Sequence, residues 1–257
     1  MLNFRNINIV FGVLFTMAVI LCIKHELTYW SIVVAVFLYL LVVFYGCYFI
    51  NSNFFIKTVC KANTNKKEIA LSFDDGPVQQ YTPEVLQVLK QHNIKAAFFC
   101  IGNRISNNEE LLKQLHEEGH IIGNHSFTHS AWFDLFSHKR MSEELEMTDN
   151  AIKKITGCRP RFFRPPYGVI NPSVKKAIIK GNYIPLGWSM RSYDTVIKNE
   201  QKLFKRITRS VKPGDIFLFH DTSKTTLNIL PIFIQHLQQK GFSIVRLDKL
   251  LDIDAYE

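Results

Sequence analysis

The chain has 257 residues, 47% of them hydrophobic and 13% aromatic, which is enough for a packed core and too apolar for a wholly disordered chain. Its net charge of +9 allows anionic partners such as cell-envelope glycans or phospholipid headgroups. No run of Arg and Lys interleaved with aromatic residues is present, so the sequence does not favour nucleic acid as a partner.

Two uncharged apolar runs open the chain, over residues 7–23 and 29–50, with a short polar turn between them. A helix needs ~20 apolar residues to cross the hydrocarbon core of a bilayer, so the second run is long enough and the first is marginal. Aromatic residues near the ends of the second run suit the membrane interface. The alternatives are a cleaved signal peptide for the first run and a buried core helix for the second. We expect a membrane anchor over residues 1–52, with one or two transmembrane helices, and a linker over residues 53–66.

The number of spans decides which side of the membrane holds the rest of the chain. Two spans return it to the side of Met1, and the Lys and Arg residues outside the hairpin outnumber Lys24 in the turn. This charge distribution favours a cytoplasmic domain by the positive-inside tendency. A single span reverses the orientation.

From Lys66 onward, short β-like runs alternate with helical patterns, as in βα units around a parallel sheet. Seven strands are predicted: Glu68–Phe73, Lys95–Ile101, His120–Asn124, Arg161–Arg164, Tyr183–Trp188, Asp215–His220 and Phe242–Arg246. Helices are predicted from Thr82, over Glu109–Glu118 before Gly119, over Ser142–Ile155 before Gly157, and from Asn171-Pro172 to near Gly181. Seven strands suggest a barrel, and a long open α/β sheet is the alternative.

Reactive side chains follow the carboxyl ends of five predicted strands. They are Asp74 and Asp75 after the first, His125 and His129 after the third, Arg164 after the fourth, Asp194 after the fifth and His220 at the end of the sixth. Active sites of barrels and of open α/β sheets lie at this end of the strands. We therefore expect these residues to form one site.

Asp75, His125 and His129 offer one carboxylate and two imidazoles. This set suits Zn²⁺, Co²⁺, Ni²⁺ or Fe²⁺ and leaves positions open for water and substrate. The neighbouring Asp74 strengthens the prediction, because two adjacent aspartates repel each other unless a cation or a proton neutralises them. Two plainer interpretations exist: a His-x-x-x-His pair is more often structural or at the surface, and Asp-Asp-Gly-Pro can be a simple turn.

With Asp75 on a metal, Asp74 is free to accept a proton from the attacking water. His220 is the candidate acid for the departing amine. Asp194 could raise the pKa of His220, and Arg164 could hold Asp74 ionised. The alternatives are a buried structural histidine at His220 and a surface salt bridge at Arg164.

These residues lie in four ordered motifs: Ser72-Phe73-Asp74-Asp75-Gly76-Pro77, His125-Ser126-Phe127-Thr128-His129, Arg164-Pro165-Pro166-Tyr167-Gly168 and Leu218-Phe219-His220. From about Glu68 to Leu251 the chain resembles the polysaccharide deacetylases, carbohydrate esterase family 4, with the NodB homology domain. The resemblance implies an α/β fold, a distorted (β/α)7 barrel over residues 67–257. It also implies removal of acetyl groups from N-acetylglucosamine units with a divalent metal, usually Zn²⁺.

The resemblance also implies a role for each residue. Asp74 is the base, His220 is the acid, and Asp75, His125 and His129 are the metal ligands. The backbone N–H of Tyr167 helps to bind the oxyanion, and Pro166 and Leu218 are expected beside it as substrate-binding residues.

One family motif is altered here. Family members often have Asp-x-x-Asp-Trp where this chain has Arg191-Ser192-Tyr193-Asp194-Thr195. Thr195 replaces a tryptophan that lines the sugar groove, so long neutral polymers should be held weakly. Arg191 replaces an aspartate and could attract a phosphate or another anionic group. The alternative is that Arg191 points to solvent and Tyr193 replaces the missing wall.

The leading hypothesis is a monomeric N-deacetylase whose partners are membrane lipid and an N-acetylated glycan: peptidoglycan, a chitin-like oligosaccharide or a lipid-linked amino sugar. Cell-wall substrates favour an extracytoplasmic catalytic domain, which we expect, whereas the charge distribution favours the cytoplasmic side. One alternative is an O-acetyl esterase on an acetylated polysaccharide such as xylan. Another is a non-catalytic glycan-binding membrane protein.

Overall fold

The structure is a computed structural model that describes residues 3–257, so the first two residues of the predicted anchor lie outside the described part. Two long helices come first, α1 (Phe4–Ile23) and α2 (Trp30–Tyr48). Both are long and apolar enough to cross a membrane, and by length and composition they fit spans or a signal sequence. Their apolar surfaces are almost entirely exposed, so the alternative of a buried core helix is wrong.

The two apolar helices form a hairpin. The Tyr39 hydroxyl donates to Asn8 Oδ1 at 2.9 Å, and the Phe11 and Tyr39 rings pack edge to face with centroids 5.4 Å apart. At the open end of the hairpin, the Phe4 N–H donates to the Phe54 carbonyl oxygen at 3.0 Å. The hairpin is therefore joined to the chain that follows it.

Eight strands follow in the described part of the chain: β1 (Glu68–Asp74), β2 (Ala97–Cys100), β3 (Ile121–Asn124), β4 (Phe162–Phe163), β5 (Ile184–Pro185), β6 (Met190–Arg191), β7 (Ile216–His220) and β8 (Ser243–Ile244). Their order is β5-β4-β3-β2-β1-β7-β6, with β8 beside β1, and every pairing between them is parallel. The sheet curls into a half-barrel, which confirms the predicted α/β fold. All seven predicted strands are present: β1 extends one residue beyond its predicted end, to Asp74, the other six are shorter than predicted, and β6 was not predicted.

The segment predicted as a linker pairs with the chain at β5 and with the residues just before β7. The Val59 N–H donates to the Pro185 carbonyl oxygen at 3.0 Å, and the Val59 carbonyl accepts from the Gly187 N–H at 2.8 Å. Further along, the Ala62 N–H donates to the Gly214 carbonyl oxygen at 2.9 Å. This part of the chain therefore packs along the half-barrel from one end of the strands to the other.

The helices around the sheet are α3 (Thr82–Gln91), α4 (Gly102–Ile105), α5 (Glu109–Glu117), α6 (His138–Thr156), α7 (Pro172–Lys180), α8 (Glu200–Thr208), α9 (Lys224–Gln239) and α10 (Leu247–Leu251). Short 3₁₀ turns occupy Ile50–Ser52, Phe133–Leu135 and Pro166–Gly168. The predicted helix starts are confirmed for α3, α5 and α7. Helix α6 begins at His138 rather than Ser142, because the Ser137 side chain caps it by accepting from the Arg140 N–H.

The central strands are buried on both faces, which fits their nearly continuous apolar sequences. The Phe73 ring stacks on Phe98 with centroids 5.0 Å apart, and it lies 6.0 Å from the Phe219 ring. These contacts join β1 to β2 and β7. The close-packed core therefore fixes the strand ends that carry the reactive side chains.

Candidate active site and metal centre

The strand register brings the predicted reactive residues together. Asp74, the last residue of β1, is the Cα partner of His220, the last residue of β7. Asn124 ends β3 opposite Cys100 of β2, and His125 follows directly. Arg164 follows β4 in the same way. The prediction that these side chains share the carboxyl edge of the sheet is consistent with this placement.

A carboxylate and two imidazoles form a cluster at this edge. Asp75 Oδ1 lies 3.5 Å from His125 Nε2 and 3.4 Å from His129 Nε2, and the three candidate ligand atoms lie within 4.8 Å of one another. Asp75 Oδ1 is buried and has no hydrogen-bond partner within residues 3–257. A buried carboxylate oxygen aimed at two imidazole nitrogens fits a divalent transition metal.

The orientation of His125 and the charge of His129 also suit metal binding. His125 Nδ1 is hydrogen-bonded to the Arg164 carbonyl oxygen at 2.7 Å, which leaves Nε2 directed at Asp75. Burial and the neighbouring charge of His125 lower the pKa of His129 to about 4. The His129 imidazole is therefore neutral at physiological pH, as a metal ligand must be.

Several residues at the site have positive φ, a conformation that non-glycine residues rarely adopt. They are Asp75 at 75°, Ser126 at 65°, His129 at 48°, Tyr167 at 59° and Tyr193 at 63°. The Arg104 guanidinium donates to the Asp75 carbonyl oxygen and holds this part of the backbone. Such residues persist only where the surroundings fix them, and their concentration here supports a functional site.

Arg164 is fully buried and pairs with Asp74. Its Nη1 lies 2.7 Å from Asp74 Oδ1 and donates to Ser72 Oγ at 2.9 Å, and its Nη2 donates to the Gly187 carbonyl oxygen at 2.9 Å. The guanidinium also lies 4.0 Å from the centre of the Phe99 ring. The alternative of a surface salt bridge is therefore wrong. This pair compensates the charge of a buried carboxylate and fixes its position.

His220 is held by Asp194. His220 Nδ1 lies 2.7 Å from Asp194 Oδ1, and the His220 backbone N–H donates to Oδ2 at 2.7 Å. Ser192 Oγ donates to Oδ1 at 2.8 Å, and the Thr226 hydroxyl donates to Oδ2. Burial lowers the pKa of His220, but the hydrogen bond to Asp194 and its charge outweigh burial and raise that pKa to about 9. Protonated His220 is thus a competent proton donor at neutral pH.

Of the predicted substrate-binding residues, Tyr167 contacts this cluster directly. Tyr167 is 47% exposed, and its ring packs edge to face against His129 with centroids 4.9 Å apart. Pro166 is buried beside it, and Leu218 is buried in β7 opposite Arg191. The Asp75 and His129 side chains are 24% and 17% accessible, so the cluster is open to solvent beside Tyr167.

The residues of the altered motif lie at the edge of the same site. The Arg191 guanidinium lies 5.4 Å from the Trp188 ring centre and 5.0 Å from that of Tyr193, so it stacks between two aromatic rings. Thr195 is exposed, and its backbone N–H donates to Asp194 Oδ1 at 3.1 Å. Tyr193 is also exposed, beside Arg191. The exposed Thr195 side chain therefore does not supply the aromatic face that a tryptophan would offer at this position.

Some site residues were missed by the sequence reasoning. Ser72 could have been found, because it lies two residues before Asp74 and so on the same face of β1. Arg104 follows the carboxyl end of β2, one of the two predicted strand ends to which no reactive residue was assigned. Trp188 and Thr226 gave no signal, because only the tertiary structure places Trp188 against Gly168 and Thr226 on Asp194.

The candidate metal cluster lies at the carboxyl edge of a parallel half-barrel, with Asp74 and His220 beside it. This is the arrangement of a metal-dependent hydrolase. Comparisons with known proteins identify the family. Residues 61–184 match the family model for polysaccharide deacetylase. The chain is 34% identical over 195 residues to the peptidoglycan-N-acetylmuramic acid deacetylase PdaA of Bacillus subtilis, which covers 74% of this chain and 73% of the relative. The chain therefore belongs to the polysaccharide deacetylase family, carbohydrate esterase family 4.

Two further similarities agree. The chain is 37% identical over 196 residues to the peptidoglycan-N-acetylglucosamine deacetylase PgdA of Listeria monocytogenes, covering 76% of this chain. It spans only 41% of that relative's length. The solved structure of the Bc1960 peptidoglycan N-acetylglucosamine deacetylase has a TM-score of 0.74 and 28% identity, covering 78% of this chain and 95% of that one. Deacetylases of this family are hydrolases of amide bonds and are generally metal-dependent, which agrees with the cluster of Asp75, His125 and His129.

Proposed function

We propose that this chain is a metal-dependent N-deacetylase of glycans that contain N-acetylglucosamine. The observation that supports it most is a complete set of hydrolytic groups around one cluster. Asp74 Oδ2 lies 3.9 Å from His125 Nε2, and His220 Nε2 lies 4.0 Å from Asp75 Oδ2. The proposed base and the proposed acid thus both border the residues that would hold the metal.

Asp75, His125 and His129 would hold the metal, for which we propose Zn²⁺, with Co²⁺, Ni²⁺ and Fe²⁺ as chemically reasonable alternatives. When bound, a divalent metal supplies Lewis-acid chemistry: it makes water more acidic and polarises the amide carbonyl. Two imidazoles and one carboxylate leave coordination positions open, as catalysis requires.

Proton transfer is assigned to the two flanking residues. Asp74 accepts the proton of the attacking water through Oδ2, because Oδ1 is held by Arg164. His220 donates a proton from Nε2 to the departing amine, because its Nδ1 is occupied by Asp194. The Tyr167 N–H stabilises the oxyanion. Pro166 and Leu218 support the loop and the strand that shape the site.

The proposal extends to the whole chain. Residues 1–52 anchor it in a membrane, residues 53–66 link the anchor to the catalytic domain, and residues 67–257 form the deacetylase domain. The exposed apolar surface of α1 and α2 supports insertion into lipid. We further propose a monomer with its catalytic domain outside the cytoplasm, where peptidoglycan is found.

The test is an assay of the full-length protein in detergent, depleted of metal and then reloaded with Zn²⁺ or Co²⁺. The substrates are acetylated chitooligosaccharides, peptidoglycan and acetylxylan, and released acetate and free amine are measured together. We expect metal-dependent release of both from at least one amino-sugar substrate. Acetate without amine, from acetylxylan alone, would instead indicate an O-acetyl esterase. No release from any substrate, with metal bound, would indicate a non-catalytic glycan-binding protein.

A further inference from the structure

The loop that carries Tyr167 is bonded directly to the end of the apolar hairpin. The Ile170 N–H donates to the carbonyl oxygen of Cys47, in the last turn of α2, at 3.1 Å. Phe4, at the start of α1, packs its ring against Phe54 and Phe55 with centroids 6.0 and 5.0 Å apart. The start of α1 and the end of α2, which together form the open end of the hairpin, are therefore held against the domain on the side of the candidate active site.

The path of the chain shows which end of the half-barrel faces the hairpin. Beyond α2, Ile50 lies beside Gly187, where a Cβ would come within 3.3 Å of Ile50 Cδ1. The chain then passes Pro185 at Val59 and reaches Gly214, before the amino end of β7, at Ala62. It thus moves away from the hairpin toward the amino ends of the strands. The carboxyl ends, which carry the site, are nearer to the hairpin.

The aromatic residues at the end of α2 place the membrane surface at this level. Tyr45, Tyr48 and Phe49 are exposed there, as expected of side chains at a membrane–water interface. Tyr167 contacts the His129 ring and lies three residues before Ile170, so the Cα atoms of Tyr167 and Ile170 are at most ~11 Å apart. The candidate metal cluster is therefore close to the membrane surface.

A second apolar element lies beside the same opening. The loop after His129 exposes Trp132 and Leu135, which are 67% and 71% accessible. The Asn171 side chain donates to the Asp134 carbonyl oxygen at 2.5 Å, which joins this loop to the residue next to Ile170. Exposed Trp and Leu side chains next to a membrane span are suited to insertion into the interfacial layer.

A basic surface borders the site on β6 and α8. Arg191 stacks on Trp188, whose ring packs so closely against Gly168 that a Cβ there would lie 2.4 Å away. Arg206 donates to the Arg191 carbonyl oxygen from Nε and Nη2, both at 3.3 Å. Helix α8 and the residue that follows it place three more cations beside Arg206: Lys202, Lys205 and Arg209. Clustered guanidinium and ammonium groups recognise phosphate oxygens.

From these contacts we propose that the substrate is an N-acetylated amino sugar carried through a phosphate on a membrane lipid, with its lipid chain in the bilayer beside α2. This inference rests on the proposed deacetylase function and narrows its substrate. Trp132 and Leu135 keep the opening at the lipid surface, and Arg191 binds the phosphate that joins sugar to lipid. A neutral polymer lacks both the phosphate and the anchorage in the bilayer.

The test uses the full-length, metal-loaded protein in phospholipid vesicles. Three substrates carry the same N-acetylated sugar: a long-chain lipid phosphate in the same bilayer, the soluble sugar phosphate without lipid, and a neutral chitooligosaccharide. We expect kcat/KM for the lipid-linked sugar to exceed that for either soluble substrate by about tenfold or more, through its effective concentration at the surface. A preference for the soluble sugar phosphate would indicate phosphate recognition without lipid and overturn the inference.

Variants separate the two parts of the proposal. Trp132→Ser with Leu135→Ser should lower the ratio of lipid-linked to soluble activity at least about fivefold, and Arg191→Gln should lower activity on both phosphate substrates relative to the neutral one. Ile232→Ser on α9 and Lys113→Gln on α5 are the matched controls, because each removes an exposed group of the same kind elsewhere. Unchanged ratios in the test variants would contradict the inference.

A measurement without catalysis tests the position of the loop. Lipids brominated near the headgroup should quench the fluorescence of Trp132, seen as the difference between wild type and Trp132→Phe. Absence of this quenching would overturn the membrane-facing opening. Equal activity on lipid-linked and neutral soluble sugars would overturn the substrate class and leave the deacetylase function intact. No deacetylation of any of the three would overturn the proposed function and this inference together.

Discussion

Asp74 and His220 are Cα partners in adjacent parallel strands, yet different residues hold their reactive groups. Asp74 Oδ1 is bonded to Arg164, whereas His220 Nδ1 is bonded to Asp194. The free atoms, Asp74 Oδ2 and His220 Nε2, both face the cluster of candidate metal ligands. Base and acid are thus positioned by separate contacts, and a substitution can disable one without moving the other.

Asp74→Asn should keep the metal and lose turnover. The amide can still fill the space and accept from Arg164, but it cannot take a proton from water. We expect kcat to fall by a factor of roughly 10² to 10⁴. Metal content, measured on the same preparation by elemental analysis, should stay at the wild-type stoichiometry. Loss of the metal in Asp74→Asn, with retention in Asp75→Asn, would reverse the proposed roles of the two aspartates.

Asp194→Asn should lower kcat with little change in KM, because Asp194 contacts His220 and not the substrate opening. Without the carboxylate, His220 loses the partner that keeps its imidazole oriented and charged. A loss of roughly a hundredfold in kcat is expected. Ser192→Ala is the control, since it removes one hydrogen bond to Asp194 and leaves the carboxylate. Equal losses in the two variants would show that Asp194 acts only as a structural residue.

Arg164→Met should destabilise the domain strongly. It removes the partner of the Asp74 carboxylate and leaves that charge buried, which costs about 3–5 kcal/mol in comparable buried pairs. Thermal unfolding in detergent would measure the loss. The double variant Arg164→Met with Asp74→Asn should recover part of the stability, because the uncompensated charge is gone. No recovery would mean that the bonds from Arg164 to Ser72 and Gly187, rather than the ion pair, carry the stability.

The free energy of unfolding should fall as pH decreases from about 6.5 to about 4, partly because of His120. Burial and the charge of Lys95 lower the pKa of His120 to about 4. In this range the unfolded chain binds a proton at His120 and the folded chain does not, so protonation favours unfolding. The maximum loss is on the order of 3 kcal/mol, and it is complete below the folded pKa.

Denaturant titrations of full-length protein at a series of pH values would measure this effect. His120→Asn is the matched control, because its side-chain oxygen can replace His120 Nδ1 as acceptor for the Ala96 N–H. Its stability should depend less on pH over the same interval. The same slope in both proteins would assign the acid sensitivity to other groups.

The sequence predicted features that depend on residues close together in the chain, and it did not predict contacts between distant segments. The cluster of Asp75, His125 and His129 was predictable because strand ends and short spacings mark it. Strand β6 was not, since its Met-Arg pair includes a charged residue and forms no apolar run. The bond from Ile170 to Cys47 joins residues far apart in the chain, and nothing in either segment indicates it. The contact between the hairpin and the loop that carries Tyr167 therefore became visible only in the structure.

The altered motif gives the last prediction. The Thr195 N–H is bonded to Asp194, so its backbone is fixed whichever side chain it carries, and the side chain itself is exposed. Thr195→Trp should therefore restore a stacking face without disturbing His220. One aromatic contact is worth ~1 kcal/mol, so kcat/KM for neutral acetylated oligomers should rise roughly fivefold.

Val196→Trp is the matched control, because it adds the same exposed indole at the neighbouring position, which is 72% accessible. Arg191→Asp, which restores the usual aspartate, should act in the same direction as Thr195→Trp on neutral oligomers and should weaken activity on phosphate-bearing substrates. Measuring kcat/KM on a series of neutral oligomers of increasing length tests this, because a new stacking face should raise kcat/KM more for long oligomers than for short ones. If neither Thr195→Trp nor Arg191→Asp improves neutral oligomers, this motif does not set specificity here, and Tyr193 beside Arg191 already supplies the wall of the groove.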